Sequence, residues 1–144
     1  MNMQDIEKQI IDEFNQFEEW LDKYNYIIEL GKNLPLIDDA YKTKQYTISG
    51  CQSQVWLRAK YDKGLVIFEA DSDALITKGI VSLLIRVLSH QKPDIIINAP
   101  LTFIDKIGLK EHLSPTRANG LLSMIKQMKL YALALKTKHE KNNE

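Results

Sequence analysis

The sequence predicts an α+β protein in which helices pack on a small antiparallel sheet. Apolar residues recur at three- and four-residue steps near both ends of the chain, which is typical of amphipathic helices. In the middle they alternate with polar residues, which is typical of strands. The 144 residues suffice for one hydrophobic core, and the sequence shows no repeat or linker, so we expect a single domain over residues 1–144.

The N-terminal region is predicted to be helical as far as Gly31. An apolar stripe that predicts one amphipathic helix consists of Ile6, Ile10, Phe14, Phe17 and Leu21. A shorter helical stretch follows through Leu30, and Gly31 is well placed to end it. Asn33-Leu34-Pro35 then breaks the pattern before a connecting segment.

The middle of the chain predicts a small sheet. Residues 55–61 alternate in polarity, Asp62-Lys63-Gly64 provides turn chemistry, and residues 65–68 are rich in strand-forming types. These features predict an antiparallel hairpin. Tyr46-Thr47-Ile48 is interpreted as a third strand, which gives a three-stranded antiparallel sheet.

Two further helices are predicted after the hairpin. Ser72 or Asp73 can cap the first, in which Gly79 suggests close packing against another element, because an interior glycine costs ~1 kcal/mol relative to alanine. Ser114 and Pro115 are a typical N-cap and first residue for the second. The polar segment 136–144 predicts a frayed tail.

Charge and composition argue against several classes of protein. Lys plus Arg and Asp plus Glu each total 19, so the chain lacks the basic excess typical of nucleic-acid binding. The first residues do not resemble a secretory signal, and no apolar run approaches the ~20 residues of a membrane span. A single cysteine suits a reducing compartment, so we expect a cytoplasmic protein without membrane attachment.

Cys51, the single cysteine, is the main candidate for chemistry. A lone cysteine often serves as a small buried hydrophobe, but Cys51 lies in a polar run between Ser49-Gly50 and Gln52-Ser53-Gln54. Gly50 permits a tight loop that presents the sulfur. Because no second cysteine exists, a dithiol cycle, a Cys-rich zinc site and an all-thiolate iron–sulfur site within one chain are excluded. A nucleophilic sulfur that accepts a group and passes it on fits best.

Other candidate residues leave alternatives open. A Cys/His hydrolase remains possible through His90, His112 or His139, although solvated histidines explain these positions as well. Arg117 is predicted at the third helical position after Ser114, where a positive charge opposes the helix dipole at ~0.3–1 kcal/mol. It is either a solvated arginine or a charge that meets an anion or a partner. No nucleotide-binding or HExxH motif occurs, so we expect no cofactor and no metal.

Several motifs, taken in order, resemble the SufE family of sulfur acceptors. They are Leu30-Gly31 with Leu34-Pro35, the run Gly50-Cys51-Gln52-Ser53-Gln54-Val55-Trp56, Ala70-Asp71-Ser72-Asp73-Ala74, and Leu113-Ser114-Pro115-Thr116-Arg117 with Asn119-Gly120-Leu121. The GCQSQVW run is the most specific of them. The resemblance extends from about Trp20 to Ala132.

The resemblance implies a fold similar to IscU-type iron–sulfur scaffold proteins and a partner, a pyridoxal-phosphate-dependent cysteine desulfurase of the SufS or CsdA type. Family members accept the terminal sulfur of the desulfurase persulfide on the loop cysteine and relay it towards an iron–sulfur scaffold or another acceptor. Mapped onto this chain, Cys51 is the persulfide-forming acceptor. Arg117, Asp73, Gly50 and Gln52 are the residues that support the loop or contact the partner.

The chain would then be a covalent sulfur-transfer partner and activator of a desulfurase rather than a stand-alone enzyme. The alternative is a regulatory binding module of a desulfurase, in which no covalent sulfur step occurs.

Overall fold

A computed structural model describes residues 2–142, with side chains described as far as Glu140. The elements are α1 (Met3–Phe14), α2 (Trp20–Gly31), β1 (Val55–Asp62), β2 (Leu65–Ser72), α3 (Leu75–Leu88), α4 (Pro93–Ile97), α5 (Phe103–Lys106) and α6 (Pro115–Asn142). Short 3-10 turns occur at Asp39–Tyr41, Lys44–Tyr46 and Lys110–His112. The predicted α+β class is confirmed.

The sheet is an antiparallel hairpin of β1 and β2. Its register runs from Val55 opposite Ser72 to Asp62 opposite Leu65. Lys63 and Gly64 connect the strands with positive φ angles of 52° and 82°, as a type I′ hairpin turn requires. The predicted hairpin is therefore confirmed.

The predicted third strand at Tyr46–Ile48 is wrong, because within residues 2–142 the sheet has two strands. The 3-10 turn at Lys44–Tyr46 shortens the extended segment, so that Thr47 forms only an isolated bridge with Trp56. Ile48 adds one backbone hydrogen bond, from its N–H to the Val55 carbonyl oxygen at 2.9 Å. The likeness to the IscU-type fold stays a prediction.

The core lies between the hairpin and the helices. Phe14, Phe68, Phe103 and Leu57 are among the largest side chains that are fully buried. Gly79 of α3 faces α2 so closely that a Cβ at this position would collide with the Ile27 carbonyl oxygen. The close packing expected at Gly79 is confirmed, and it joins α3 directly to α2.

The helix boundaries differ from the predicted ones near the N-terminus. The stripe from Ile6 to Leu21 does not form one helix, because α1 ends at Phe14 and α2 begins at Trp20. Residues 15–19, which include Phe17, form a non-helical connection between them, and Leu21 is 70% exposed rather than part of the apolar face. Phe14 packs instead edge to face on Tyr26, with ring centroids 5.4 Å apart.

The C-terminal helix continues through most of the predicted tail. Residues 136–142 are helical, whereas the sequence predicts fraying from 136. Lys136 pairs with Asp94 at 2.6 Å, and the His139 ring stacks on Tyr61 with centroids 3.8 Å apart, so tertiary contacts stabilise this end. Residues 143 and 144 of the predicted tail lie outside the described residues. Over the described chain, no helix combines the length and apolarity needed to cross a membrane.

Candidate functional site

Cys51 lies in the loop before β1, which we call the Cys51 loop (residues 49–54). Its side chain is half-buried and packs against the hydrophobic core. The sulfur lies 3.8 Å from the carbonyl oxygen of Gly120 in α6, a long contact in which the thiol is the donor. A Cβ at position 120 would lie 3.5 Å from this sulfur, which is an ordinary van der Waals distance, so the thiol lies directly against this turn of α6.

A cleft of about 420 Å³ opens beside Cys51. Four of the predicted site residues border it, namely Cys51, Gln52, Asp73 and Arg117. The cleft is also bordered by residues that were not predicted as site residues, among them Ser53, Thr77 and Gly120, of which Ser53 and Gly120 lie within the family motifs. The structure thus brings together residues from the Cys51 loop, the end of β2, α3 and α6.

Asp73 fixes the C-terminal end of the Cys51 loop. Its carboxylate accepts a hydrogen bond from the Gln54 N–H at 3.0 Å, and its own N–H donates to the Gln54 carbonyl oxygen at 3.3 Å. Ser72 adds a third link, donating from Oγ to the Gln54 carbonyl oxygen at 2.8 Å. The loop therefore keeps a fixed path into β1.

The predicted capping of α3 by Ser72 or Asp73 is wrong. The helix begins at Leu75 with Ala74 as its N-cap, and no side chain caps it. The hydroxyl of Ser72 accepts a bond from the Ala74 N–H at 3.2 Å, which is a local turn before the helix. Because both side chains are engaged with the loop and this turn, they are not available to the helix N-terminus.

Ion pairs hold the end of β2 against α3. The buried carboxylate of Asp71 lies 2.7 Å from the Lys42 ammonium and 3.3 Å from that of Lys78 in α3. Burial opposes ionisation, but hydrogen bonds from Lys42, Lys78 and the Ser72 N–H hold the pKa of Asp71 below its ordinary value. The charged pair thus positions the segment that supports the loop.

Gly50 fixes the N-terminal side of the Cys51 loop. Its φ angle is +90°, in the region that favours glycine. A Cβ at this position would lie 2.5 Å from the Ser123 Oγ in α6, so the Ser123 hydroxyl would have to move to admit any side chain here. Gln52, on the other side of Cys51, is exposed and borders the cleft.

Arg117 places a positive charge at the cleft. It is the third residue of α6, which begins at Pro115 as predicted. The Ser114 Oγ accepts a hydrogen bond from the Arg117 N–H at 3.3 Å, so the predicted N-cap is confirmed. The side chain is exposed and borders the cleft. Arg117 is therefore a cationic residue at the edge of the cleft next to Cys51.

The sulfur itself is sheltered rather than activated. Burial raises the pKa of the Cys51 thiol above its ordinary value. Because the thiolate is the nucleophile, the thiol is less reactive at neutral pH in this position than in water. Reaction requires that the sulfur become more hydrated or meet an added positive charge.

The histidines do not approach the cleft. Its described lining contains none of the three. His112 stacks on Trp20 with ring centroids 3.8 Å apart, His139 stacks on Tyr61, and His90 lies just beyond α3 with a φ angle of +62°. Among the described residues, no group of three or more His, Cys, Asp or Glu side chains is arranged to hold a metal ion.

A signal for two of the missed residues was present in the sequence. Gly120 lies inside a helix, where glycine costs ~1 kcal/mol relative to alanine. As at Gly79, such a glycine suggests that another element packs close to the helix at this point. Thr77 is a hydroxyl residue next to the apolar stripe of α3. Neither position reveals which loop it contacts, because those contacts join distant parts of the chain.

Comparison with known proteins identifies the family. The chain matches the SufE family model, described as an Fe-S metabolism associated domain, over residues 8–132. It is 44% identical over 126 residues to an uncharacterized SufE-like protein of Rhizobium meliloti (strain 1021), covering 84% of this chain and 90% of that protein. It is 39% identical over 137 residues to SufE-like protein 1, chloroplastic/mitochondrial, of Arabidopsis thaliana, covering 94% of this chain. This chain spans 37% of the length of the plant protein.

The fold also has a counterpart among solved structures. The solution structure of a hypothetical protein from Thermus thermophilus superimposes with a TM-score of 0.76, covering 92% of this chain and 96% of that one. At 20% identity, this likeness shows the fold alone. The family match spans most of the sequence and confirms the predicted family: the chain belongs to the SufE family, which is associated with iron–sulfur metabolism.

Proposed function

We propose that this chain accepts sulfur as a persulfide on Cys51 from a pyridoxal-phosphate-dependent cysteine desulfurase and relays it towards iron–sulfur cluster assembly. The observation that carries the proposal is the position of the single cysteine, half-buried at a cleft that Arg117 and Asp73 also border. Membership of a family linked to iron–sulfur metabolism supports it. The chain acts as a covalent partner and activator of the desulfurase rather than as a stand-alone enzyme.

The transfer needs only the cysteine of this chain and a donor persulfide. The Cys51 thiolate attacks the terminal sulfur of that persulfide, and a new S–S bond forms as the donor S–S bond breaks. The donor cysteine leaves as a thiolate, so the step involves no net oxidation or reduction. The cleft of about 420 Å³ leaves room for the added sulfur, and Arg117 provides a positive charge for an anionic persulfide.

Docking of the sulfur donor has to expose the half-buried Cys51 thiol. Burial raises the pKa of Cys51, so movement of the loop towards water would increase both the thiolate fraction and the access of the donor. Gln52, Asp73 and Arg117 are exposed around the cleft and are the residues that we assign to partner contact. Gly50 and the Asp73–Gln54 pair keep the two ends of the moving segment in place.

A regulatory binding module of a desulfurase is the second candidate, and the raised pKa of Cys51 favours it. A sheltered thiol with a raised pKa is a poor nucleophile, as an incidental cysteine would be. Nothing favours the Cys/His hydrolase, because the described lining of the cleft contains no histidine.

Stimulation of a desulfurase distinguishes the two candidates. Alanine release from L-cysteine is measured with the wild-type chain and with Cys51→Ser, each checked for folding by circular dichroism. The relay predicts that the wild-type chain accelerates release and that Cys51→Ser does not. Equal acceleration by both chains would contradict the relay and support the binding module.

We place this activity in the cytoplasm, because a single unpaired cysteine suits a reducing compartment. The name of the plant relative assigns that protein to the chloroplast and mitochondrion. Cell fractionation with an antibody to this chain tests the assignment, and its recovery outside the cytoplasmic fraction would contradict it.

A further inference from the structure

Thr77 is a buried hydroxyl residue whose position the transfer chemistry alone does not explain. It lies in the first turn of α3, is only 6% exposed, and borders the cleft together with Cys51. Its Oγ1 lies 3.1 Å from the Oγ of Ser53, two residues after the cysteine. The contact joins residues 24 positions apart, so it connects a core helix to the Cys51 loop.

The partner of the Thr77 hydroxyl lies outside its own helix. A threonine hydroxyl within a helix commonly bonds the backbone carbonyl oxygen three or four residues earlier. The hydroxyl of Thr77 instead pairs with a side chain of the loop. A valine at this position would have nearly the same shape but could not form the pair.

The pair acts on the part of the loop that has the fewest other contacts. At one end Gly50 packs against Ser123, and at the other end Gln54 is bonded to Asp73. Between these ends, the one hydrogen bond of the Cys51 thiol within the described residues is the long contact of 3.8 Å with the Gly120 carbonyl oxygen. The Ser53–Thr77 contact at 3.1 Å is shorter, and both contacts would break if residues 51–53 turned outward.

We propose that Thr77 is a positioning residue that holds Cys51 in its sheltered position through Ser53, and thereby sets how readily the thiol meets a reaction partner. The proposal rests on the proposed function, in which Cys51 is the sulfur acceptor. Without the Thr77 hydroxyl, the half-buried hydroxyl of Ser53 loses its hydrogen-bond partner. Water can replace that partner more readily when the loop turns outward, so the outward position of the loop becomes more favourable.

The test is the rate of Cys51 alkylation by iodoacetamide in the full chain, with no desulfurase present. Thr77→Val should raise the rate about three- to tenfold, as expected for the loss of one hydrogen bond. The pH midpoint of the rate should also fall, because the thiol becomes better hydrated. Thr77→Ser keeps the hydroxyl and should react at the wild-type rate.

Ser82→Ala is the matched control, because it removes a hydrogen bond of the same helix that does not involve the loop. The Ser82 Oγ donates to the Leu30 carbonyl oxygen at 2.9 Å. Its loss should leave the alkylation rate unchanged. An equal acceleration in Ser82→Ala would show that any weakening of α3 exposes the cysteine, and would overturn the specific role of Thr77.

Ser53→Ala breaks the same pair from the loop side and keeps the test decisive if Thr77→Val does not fold. It should accelerate alkylation to the same extent, and the double variant should react no faster than either single one. A wild-type rate in folded Thr77→Val or in Ser53→Ala would overturn the proposal. Alkylation needs no sulfur donor, so its outcome is independent of whether Cys51 acquires sulfur from a desulfurase.

Discussion

Replacement of Gly50 by alanine tests the two constraints that hold the Cys51 loop. The φ angle of +90° disfavours alanine by about 1–2 kcal/mol. The new Cβ would also lie 2.5 Å from the Ser123 Oγ, so this hydroxyl would have to leave its position, which costs about 0.5–1.5 kcal/mol. We therefore expect Gly50→Ala to lower the free energy of unfolding by about 1.5–3.5 kcal/mol.

Two further variants separate the backbone contribution from the steric one. Gly64 has a similar φ angle of +82°, but nothing lies within 4 Å of its added Cβ, so Gly64→Ala should cost only about 1–2 kcal/mol. In a Ser123→Ala background the nearest atom to the Cβ at position 50 is the Cβ of residue 123, at 3.4 Å, which is ordinary contact. Gly50→Ala should then cost no more than Gly64→Ala.

Urea unfolding followed by circular dichroism measures the free energy of unfolding of five chains, which are the wild type, Gly50→Ala, Gly64→Ala, Ser123→Ala and the Gly50→Ala/Ser123→Ala double variant. If Gly50→Ala were no more destabilising than Gly64→Ala, the contact with Ser123 would contribute nothing to the cost. The same would follow if the Ser123→Ala background left the cost of Gly50→Ala unchanged.

Three further predictions concern the helices and the cleft. Gly79→Ala should lower the free energy of unfolding by about 2 kcal/mol in urea, because the collision with the Ile27 carbonyl oxygen outweighs the ~1 kcal/mol gained in helix propensity. An unchanged stability would contradict this packing. The hydrogen bond from Arg86 holds the pKa of Glu13 below its ordinary value. The Glu13–Arg86 ion pair therefore stabilises the fold fully above the ordinary carboxyl pKa, and this stabilisation is lost as the pH falls through the lowered pKa of Glu13. The stability difference between wild type and Glu13→Gln should therefore shrink on acidification, and a constant difference from pH 7 into the acid range would speak against the ion pair. Arg117→Ala should slow sulfur uptake from a desulfurase about three- to tenfold with no change in Tm, because an exposed charge acts mainly on the rate of association. Uptake is measured by mass spectrometry of quenched samples, and an uptake rate equal to that of the wild type would show that Arg117 is not part of the site.

Features decided by local chemistry were predictable from the sequence. The Asp62-Lys63-Gly64 turn fixes the hairpin, and Ser114-Pro115 fixes the start of α6 and with it the position of Arg117. The polar surroundings of Cys51 indicated a loop, and the structure places the residue in one. In each case the adjacent residues that predict the feature are the same residues that form it.

Features that depend on competition between distant groups were not predictable. Ser72 and Asp73 are good caps in isolation, but the backbone of Gln54 takes their hydrogen bonds in the folded chain. Tyr46–Ile48 has strand-forming residues, but a 3-10 turn occupies its first position.

The roles of Thr77 and Gly120 were hidden for the same reason. Their contacts lie with Ser53 and Cys51, 24 and 69 positions away in sequence. The sheltering of the thiol likewise follows from how α6 and α3 pack around the loop, which the pattern of one segment does not contain.

The central claim is that Cys51 carries sulfur. Intact-protein mass spectrometry after incubation with a cysteine desulfurase and L-cysteine tests it most directly, with Cys51→Ser as the matched control. We predict a gain of one or more sulfur atoms that dithiothreitol removes and that Cys51→Ser does not show. The absence of any gain, with a desulfurase shown to be active and to bind the chain, would contradict the relay and leave a regulatory binding module as the function.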